Sequence, residues 1–258
     1  PIIRGQALET YAILGPADTI DRLLPFLNKS DQDLRKGALV GILYFDQDNE
    51  MANRHLLDSV RSQNINERLL ATEVIAETGV PRFSDYLIEL LEDTDPLIVE
   101  RAIIAAGNLQ DPRLVNILVE KLAIASLQGT TSQSLRYFGE AALLELNTGL
   151  TSPEATRQEK SHIIETIMEI GGGQAIEILL RHREIAQPEL RHKVRLSLAK
   201  LHFQAEPDDQ YIFVNSLDEE VQLITWLLSA MDDLRDEPHF KRLHAALASE
   251  LEVRRDSM

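Results

Sequence analysis

Five arginines recur along the first half of the chain at almost constant intervals. They are Arg4, Arg35, Arg68, Arg101 and Arg136, separated by 31, 33, 33 and 35 residues. A guanidinium group is a planar fork of N–H donors, so it can hold a carboxylate or a phosphate through two parallel hydrogen bonds. A repeat that places one such side chain on each unit would form a stripe of anion-binding groups.

Two short motifs suggest ligand chemistry but lack the residues that it needs. The three glycines at 171–173 are followed by neither Lys-Ser nor Lys-Thr and preceded by no predicted strand, which excludes a P-loop and a dinucleotide-binding turn. We interpret them as a helix-ending turn. The segment 46–50 resembles the start of a calcium loop, but Met51 stands where the loop needs Gly and Leu57 where it needs Glu. We interpret it as an acidic helix cap.

The remaining reactive side chains form no pattern that indicates catalysis. No pair of carboxylates stands out as a general acid and base. The histidines of the last third have no metal-binding spacing; they are His162, His182, His192 and His202. The sequence therefore predicts no catalytic residues, no metal site and no cofactor. Four aromatic residues near the end could anchor a partner, although packing is the interpretation that we favour: Tyr211, Phe213, Trp226 and Phe240.

Composition limits the class of partner and the compartment. The chain has 258 residues, 44% of them apolar, and a net charge of −16 with a pI of about 4.8. Nucleic acids and anionic membranes would be repelled by this charge, whereas a basic partner would be attracted. The absence of cysteine excludes disulfides, thiolate zinc sites and a cysteine nucleophile, and fits a cytoplasmic location. No segment approaches the roughly 20 apolar residues that a membrane span needs.

Apolar residues recur at the helical spacing almost throughout the chain. Residues 87, 90 and 91 form one such stripe, and residues 98, 102, 105 and 106 form another. Asp95-Pro96 and Asp111-Pro112 are typical helix starts, because Asp caps free amides and Pro needs no intrahelical partner. The pattern predicts helices over 2–14, 17–28, 31–45, 49–62, 65–79, 82–92, 96–109, 112–126, 132–147, 156–170, 173–185, 188–202, 208–216, 219–233 and 237–252.

The segment from Leu87 to Asp111 resembles a HEAT repeat. Its first helix ends in Leu-Leu, and an Asp-Pro-Leu-Ile-Val-Glu-Arg-Ala second helix follows at 95–102. The resemblance implies an all-α, right-handed solenoid of about seven antiparallel hairpins that share one core. It implies a single solenoid over 1–258, with regular repeats over 1–147, an irregular step over 148–172 where a partner helix is missing, and further repeats over 173–258. The chain begins inside a predicted helix without an initiator Met, which we interpret as excision from a longer polypeptide.

The resemblance gives the arginines two possible roles. The second helix of each HEAT hairpin lines the concave, ligand-facing side, so a binding ladder would consist of Arg35, Arg68, Arg101, Arg136 and Arg191. In the same family this Arg commonly bonds an Asp of the neighbouring turn, and Asp31, Asp33 and Asp95 are available. The structural role is the one we favour.

The function implied is that of a non-catalytic scaffold that binds a protein partner or neighbouring domains of its own polypeptide. Three segments, 209–212, 216–220 and 244–251, resemble the HEAT segment of bacterial membrane proteins with a nucleotide-translocase-like transporter domain. That resemblance implies a cytoplasmic regulatory element at the cytosolic face of the inner membrane. A HEAT-like bilin lyase or isomerase subunit, or another enzyme accessory subunit, is the alternative. DNA binding, as in HEAT-like glycosylases, is disfavoured by the acidic balance.

Overall fold

A computed structural model describes residues 2–15, 19–203 and 221–232, together with residues 246, 248 and 249. The described residues are almost entirely helical, and none of them forms a strand. Backbone contacts divide the chain into two compact units, Pro1–Ile178 and Leu179–Met258. The segments 209–212 and 216–220, the predicted helix 208–216, most of the predicted helix 237–252 and the aromatic residues at 211, 213 and 240 lie outside the described residues.

The helices of the described part follow in chain order, and residues 221–232 are also helical. The labelled helices are α1 Ile2–Leu14, α2 Thr19–Leu23, α3 Gln32–Phe45, α4 Glu50–Val60, α5 Ile65–Thr78, α6 Ser84–Leu91, α7 Pro96–Leu109, α8 Val115–Lys121, α9 Gln128–Phe138, α10 Leu143–Thr151, α11 Arg157–Ile170, α12 Gly172–Arg181 and α13 Pro188–Lys200. Single 3₁₀ turns lie at Leu24–Asn28, Pro81–Phe83, Pro112–Leu114 and Gly139–Ala142. None of these helices is long and apolar enough to cross a bilayer.

Helices of the first unit form two layers that alternate along the chain. In the second-helix layer, α1, α3, α5, α7, α9 and α11 each pack against the next. In the first-helix layer, the 3₁₀ turn 24–28, α4, α6, α8 and α10 carry the other member of each hairpin. Each first helix also packs on the second helix that follows it, so every apolar stripe is covered by a partner and by neighbouring hairpins. The predicted all-α solenoid is confirmed for this unit.

Caps and small residues explain why the hairpins fold and stack here. Asp95 Oδ1 accepts a hydrogen bond from the amide of Leu97 at 2.9 Å, which begins α7 as predicted. Ala71 and Ala102 are completely buried in the second-helix layer, where small side chains let the helices approach. The closest approach is at Gly37 of α3, where a Cβ would lie 2.3 Å from the carbonyl oxygen of Gly5 in α1. Any larger side chain there would push α1 and α3 apart.

The structure differs from the sequence prediction between α9 and α11. The predicted helix 132–147 is two helices, because Gly139 adopts a left-handed backbone angle, with φ of 57°, at the break between them. The apolar pattern continues across the break, with Leu143 and Leu146 buried in α10, so periodicity alone could not reveal it. α10 occupies the first-helix layer and packs on α11. The partner helix that the sequence analysis expected to be missing is therefore present.

A buried polar cluster joins two consecutive hairpins of the first-helix layer. Ser84, at the start of α6, is fully buried, and its Oγ lies 2.6 Å from Oδ2 of Asp111. Arg113 donates from Nη2 to the same oxygen at 2.7 Å. The hydrogen bonds from Arg113 are the main reason that the pKa of Asp111 is lowered to about 2. Burial raises this pKa, and the hydrogen bond from Ser84 lowers it further. The charged carboxylate is therefore the form that the fold stabilises.

We predict that Asp111→Asn lowers the free energy of unfolding by about 2 kcal/mol at pH 7, the cost of losing charge-assisted hydrogen bonds at a buried site. The pKa of Asp111 is below its ordinary value of 3.8 in the folded state. Its contribution is therefore complete above about pH 4 and is lost as the pH falls towards 2. In urea unfolding, the difference in the free energy of unfolding between this variant and wild type should be smaller at pH 3 than at pH 7.

Asp85→Asn is the matched control for this prediction. Asp85 also bonds Arg113, at 3.0 Å, but its side chain is 73% exposed. We expect its loss to change stability by less than about 0.5 kcal/mol. A deficit for Asp111→Asn that is the same at pH 7 and pH 3 would contradict the assigned role of its charge.

Candidate functional site

Arg35 and Arg68 form ion pairs that join neighbouring helices of the second-helix layer. Arg35 Nη2 of α3 donates to Glu67 Oε1 of α5 at 2.6 Å. Arg68 donates from Nε and Nη2 to the two carboxylate oxygens of Asp93, at 2.6 and 3.2 Å, and from Nη1 to the carbonyl of Ser62 at 2.9 Å. Both guanidinium groups are therefore engaged within the fold, although Nε of Arg35 is buried without a hydrogen-bond partner among the described residues.

The carboxylates in these pairs differ from those that the sequence suggested. Asp31 and Asp95 accept hydrogen bonds from backbone amides at the starts of α3 and α7 instead. Asp93, two residues before Asp95, is the turn carboxylate that meets the arginine of the preceding repeat. The general arrangement expected from the resemblance, an Arg bound to an acidic residue of the neighbouring turn, is thus present at Arg68.

Arg101 and Arg136 differ from the first pair, because both are exposed and neither has a hydrogen bond or ion pair with any described residue. They lie on α7 and α9, adjacent helices of the same layer. Arg191, in the second unit, donates from Nε to the carbonyl of Ile185 at 3.2 Å. The predicted ladder therefore separates into occupied arginines and two whose guanidinium groups are available to a ligand.

Exposed side chains of α7 and α9 form one surface. On α7, residues 97, 101, 104 and 108 follow a helical spacing that places them on one side, and residues 98, 102, 105 and 106 are buried on the other. α7 and α9 lie side by side and both rest on the first-helix layer, so their exposed sides face the same way. We define the central face as Leu97, Arg101, Ile104, Asn108, Gln133, Arg136 and Tyr137.

The central face is apolar and basic. Leu97, Ile104 and Tyr137 are 42%, 39% and 55% exposed. Arg101 and Arg136 add two positive charges to a chain that has 42 acidic and 26 basic side chains. The face thus offers apolar contact area and guanidinium donors in one place.

Acidic side chains flank the central face on the α5 side. Glu73 and Glu77 of α5 hold Lys36 of α3, at 3.3 and 2.8 Å. Burial lowers the pKa of Lys36, but the hydrogen bonds and charges of Glu77 and Glu73 outweigh it and raise the pKa above its ordinary value. Burial raises the pKa of Glu9, and the charge of Glu77 adds to the effect while Lys36 opposes it. This flank is therefore crowded with negative charge.

A cavity of about 530 Å³ lies on the other flank, between α9 and α11. Ser132 Oγ of α9 lies 2.9 Å from Thr166 Oγ1 and donates to Glu169 Oε2 at 3.0 Å. His162 Nδ1 lies 3.3 Å from Glu165 Oε2. Arg136 is on the α9 side of the cavity and the two carboxylates are on the α11 side. The cavity can therefore contact positive and negative groups of one ligand.

Sequence reasoning missed this cavity and placed one other residue differently. The residues that line it come mainly from α9 and α11, which α10 separates in the chain. The spacing of the Ser, Thr and Glu residues that line the cavity does not indicate a binding site in the sequence. In the second unit, Trp226 is 60% exposed although packing was predicted, because the adjacent Leu227, at 3% exposure, takes the inward position on that helix.

Comparison with known proteins supports the repeat assignment. Residues 53–126, from within α4 to just beyond α8, match the family described as HEAT repeats. Together with the two-layer hairpin order, this match supports an all-α solenoid of HEAT type. No curated protein sequence matches the chain significantly.

Similar solved structures have low identity and low structural scores. An engineered protein has 17% identity and a TM-score of 0.40, covering 71% of this chain and 96% of its own. The complex of CpcE and CpcF of phycocyanin lyase from Nostoc sp. has 14% identity and a TM-score of 0.41, and the match covers 93% of this chain and 96% of the other. Human deoxyhypusine hydroxylase in complex with glycerol has 15% identity and a TM-score of 0.31, and the match covers 77% of this chain and 90% of the other.

We predict that Arg68→Ala and Arg101→Ala have different effects on stability. Removing Arg68 leaves Asp93, only 10% exposed, without its guanidinium partner, and should lower the free energy of unfolding by about 2 kcal/mol. Removing Arg101 breaks no hydrogen bond or ion pair with a described residue and should change the free energy of unfolding by less than about 0.5 kcal/mol. Urea unfolding of both variants measures the difference. Equal losses would show that Arg101 is also structural.

Proposed function

We propose that this protein is a non-catalytic scaffold that binds a segment of another protein, or of its own longer polypeptide, on the central face. The observation that carries the proposal is that Arg101, which has no hydrogen bond or ion pair with a described residue, lies on the same face as the exposed side chains of Leu97, Ile104 and Tyr137. Arginine and tyrosine are enriched among the residues that dominate binding energy at protein interfaces.

The charge balance supports an external partner for Arg101. The chain has 16 more acidic than basic side chains, yet this guanidinium forms no ion pair with a described carboxylate, whereas Arg35 and Arg68 each form one. A partner that brings a carboxylate and an apolar group would satisfy both features of the face. The HEAT resemblance agrees, since second helices are the ligand-facing ones in that family.

Geometry gives the approximate length of the bound segment. Packed helices are separated by about 8–10 Å, so the distance from α7 across α9 to α11 is roughly 20 Å. An extended chain covers about 3.3 Å per residue, and a segment of about six to eight residues would cross all three helices. Such a segment would contact the central face first and then the cavity.

We predict that a displayed library of random linear peptides yields segments whose binding depends on Arg101. Arg101→Glu should weaken the selected segments at least tenfold, because it replaces the donor with a repelling charge. Arg54→Glu is the matched control, because it changes the net charge by the same amount and Arg54 is exposed on α4, in the first-helix layer. Fluorescence anisotropy of labelled segments measures both.

Two outcomes would contradict the scaffold proposal. One is a library that yields no segment with affinity for the folded protein. The other is an equal loss of binding in Arg101→Glu and Arg54→Glu, which would mean that net charge rather than the central face determines binding.

The more specific proposal is that the scaffold is the cytoplasmic coupling element of a bacterial transporter-like membrane protein. It rests on the sequence resemblance of the segments between 209 and 251, nearly all of which lie outside the described residues. An antibody raised against this protein should then detect a band much larger than 29.1 kDa that stays in the membrane pellet through carbonate washing. A band near 29.1 kDa in the supernatant would contradict the coupling role and leave the scaffold proposal intact.

A further inference from the structure

We infer that the cavity between α9 and α11 takes a lysine or arginine side chain of the bound segment, while Arg136 holds a carboxylate of the same segment. This inference rests on the proposed function and adds a charge preference to it. The cavity shares Arg136 with the central face, but the inference depends on Glu169 of α11 and the proposed function on Arg101 of α7, so the two can be tested separately.

Charge on the cavity walls favours a cation. Glu165 and Glu169 lie one turn apart on α11 and project into the same cavity, and Arg136 faces it from α9. The two glutamates and the arginine give these walls two negative charges and one positive charge. An anion alone would meet two carboxylates, whereas a cation next to a carboxylate would meet opposite charges on both walls.

Hydroxyl groups beneath the cavity hold Glu169 in place. Thr166 is fully buried, and its Oγ1 lies 2.9 Å from the carbonyl oxygen of His162 and 2.9 Å from Ser132 Oγ, to which it can donate. Ser132 donates to Oε2 of Glu169 at 3.0 Å. Glu169 thus has one oxygen fixed by the fold, and Oε1 has no partner among the described residues.

This arrangement lowers the entropic cost of binding. A carboxylate fixed by a neighbouring helix need not be ordered when the ligand arrives, so more of its attraction for a cation appears as affinity. The cavity volume of about 530 Å³ is within the range of sites that bind small molecules and single side chains with their surroundings. A long basic side chain can reach into it while its backbone stays on the surface.

The first test uses small probes and does not need a selected segment. Nα-acetyl-arginine amide should shift the NMR signals of Ser132 and of the Glu169 region, and its neutral isostere, Nα-acetyl-citrulline amide, should not. Glu169→Gln should remove the response to the arginine probe, and Glu92→Gln, an exposed glutamate at the end of α6, should keep it. Equal shifts with both probes, or none with either, would overturn the inference.

The second test is a double-mutant cycle with a library segment that binds through Arg101. Replacing its basic residue by norleucine, or Glu169 by Gln, should each weaken binding about tenfold, and both changes together should cause little further loss. Losses that multiply to about a hundredfold, or no loss at all, would contradict a direct contact. Binding that depends on Arg101 but not on Glu169 would leave the scaffold proposal standing without this inference.

Discussion

Close packing between neighbouring second helices is the constraint on which the rest of the first unit depends. A hairpin of two short helices cannot cover its own apolar stripe, so each must share its core with the next. That sharing requires small residues at the crossings, and Ala71, Ala102 and Gly37 occupy these positions. Because the helices lie so close, side chains one repeat apart can meet, which makes both the arginine pairs and the exposed faces possible.

The same constraint separates structural charges from available ones. Where a turn carboxylate such as Asp93 lies beside the arginine of the preceding repeat, the guanidinium is used to join hairpins. Along α7 and α9 no described carboxylate reaches Arg101 or Arg136, and large apolar side chains stay exposed next to them. Arg35 and Arg68 lie four residues after the N-caps Asp31 and Asn64, whereas Arg101 lies six residues after the N-cap Asp95. The even spacing in the sequence therefore does not place the three guanidinium groups at equivalent positions.

The sequence predicted the fold well because helical periodicity, Asp-Pro caps and the arginine repeat are local signals that agree with one another. It failed at Gly139, where a left-handed residue breaks a helix whose apolar pattern continues through the break. It predicted Arg101 and Arg136 as candidate ligand contacts but could not separate them from Arg35 and Arg68. The cavity around Ser132 and Glu169 could not be predicted, because it depends on how α9 and α11 pack against each other although α10 separates them in the chain.

A photoreactive amino acid placed in the second-helix layer tests the central claim most directly. p-Benzoylphenylalanine at Gln133, in the middle of the central face, should crosslink to the bound segment on irradiation. The same group at Arg54, exposed on α4 in the first-helix layer, should not. Crosslinking at Gln133 alone is the result we predict. Crosslinking at Arg54 with none at Gln133 would show that the partner binds the opposite layer and would contradict the proposed binding surface.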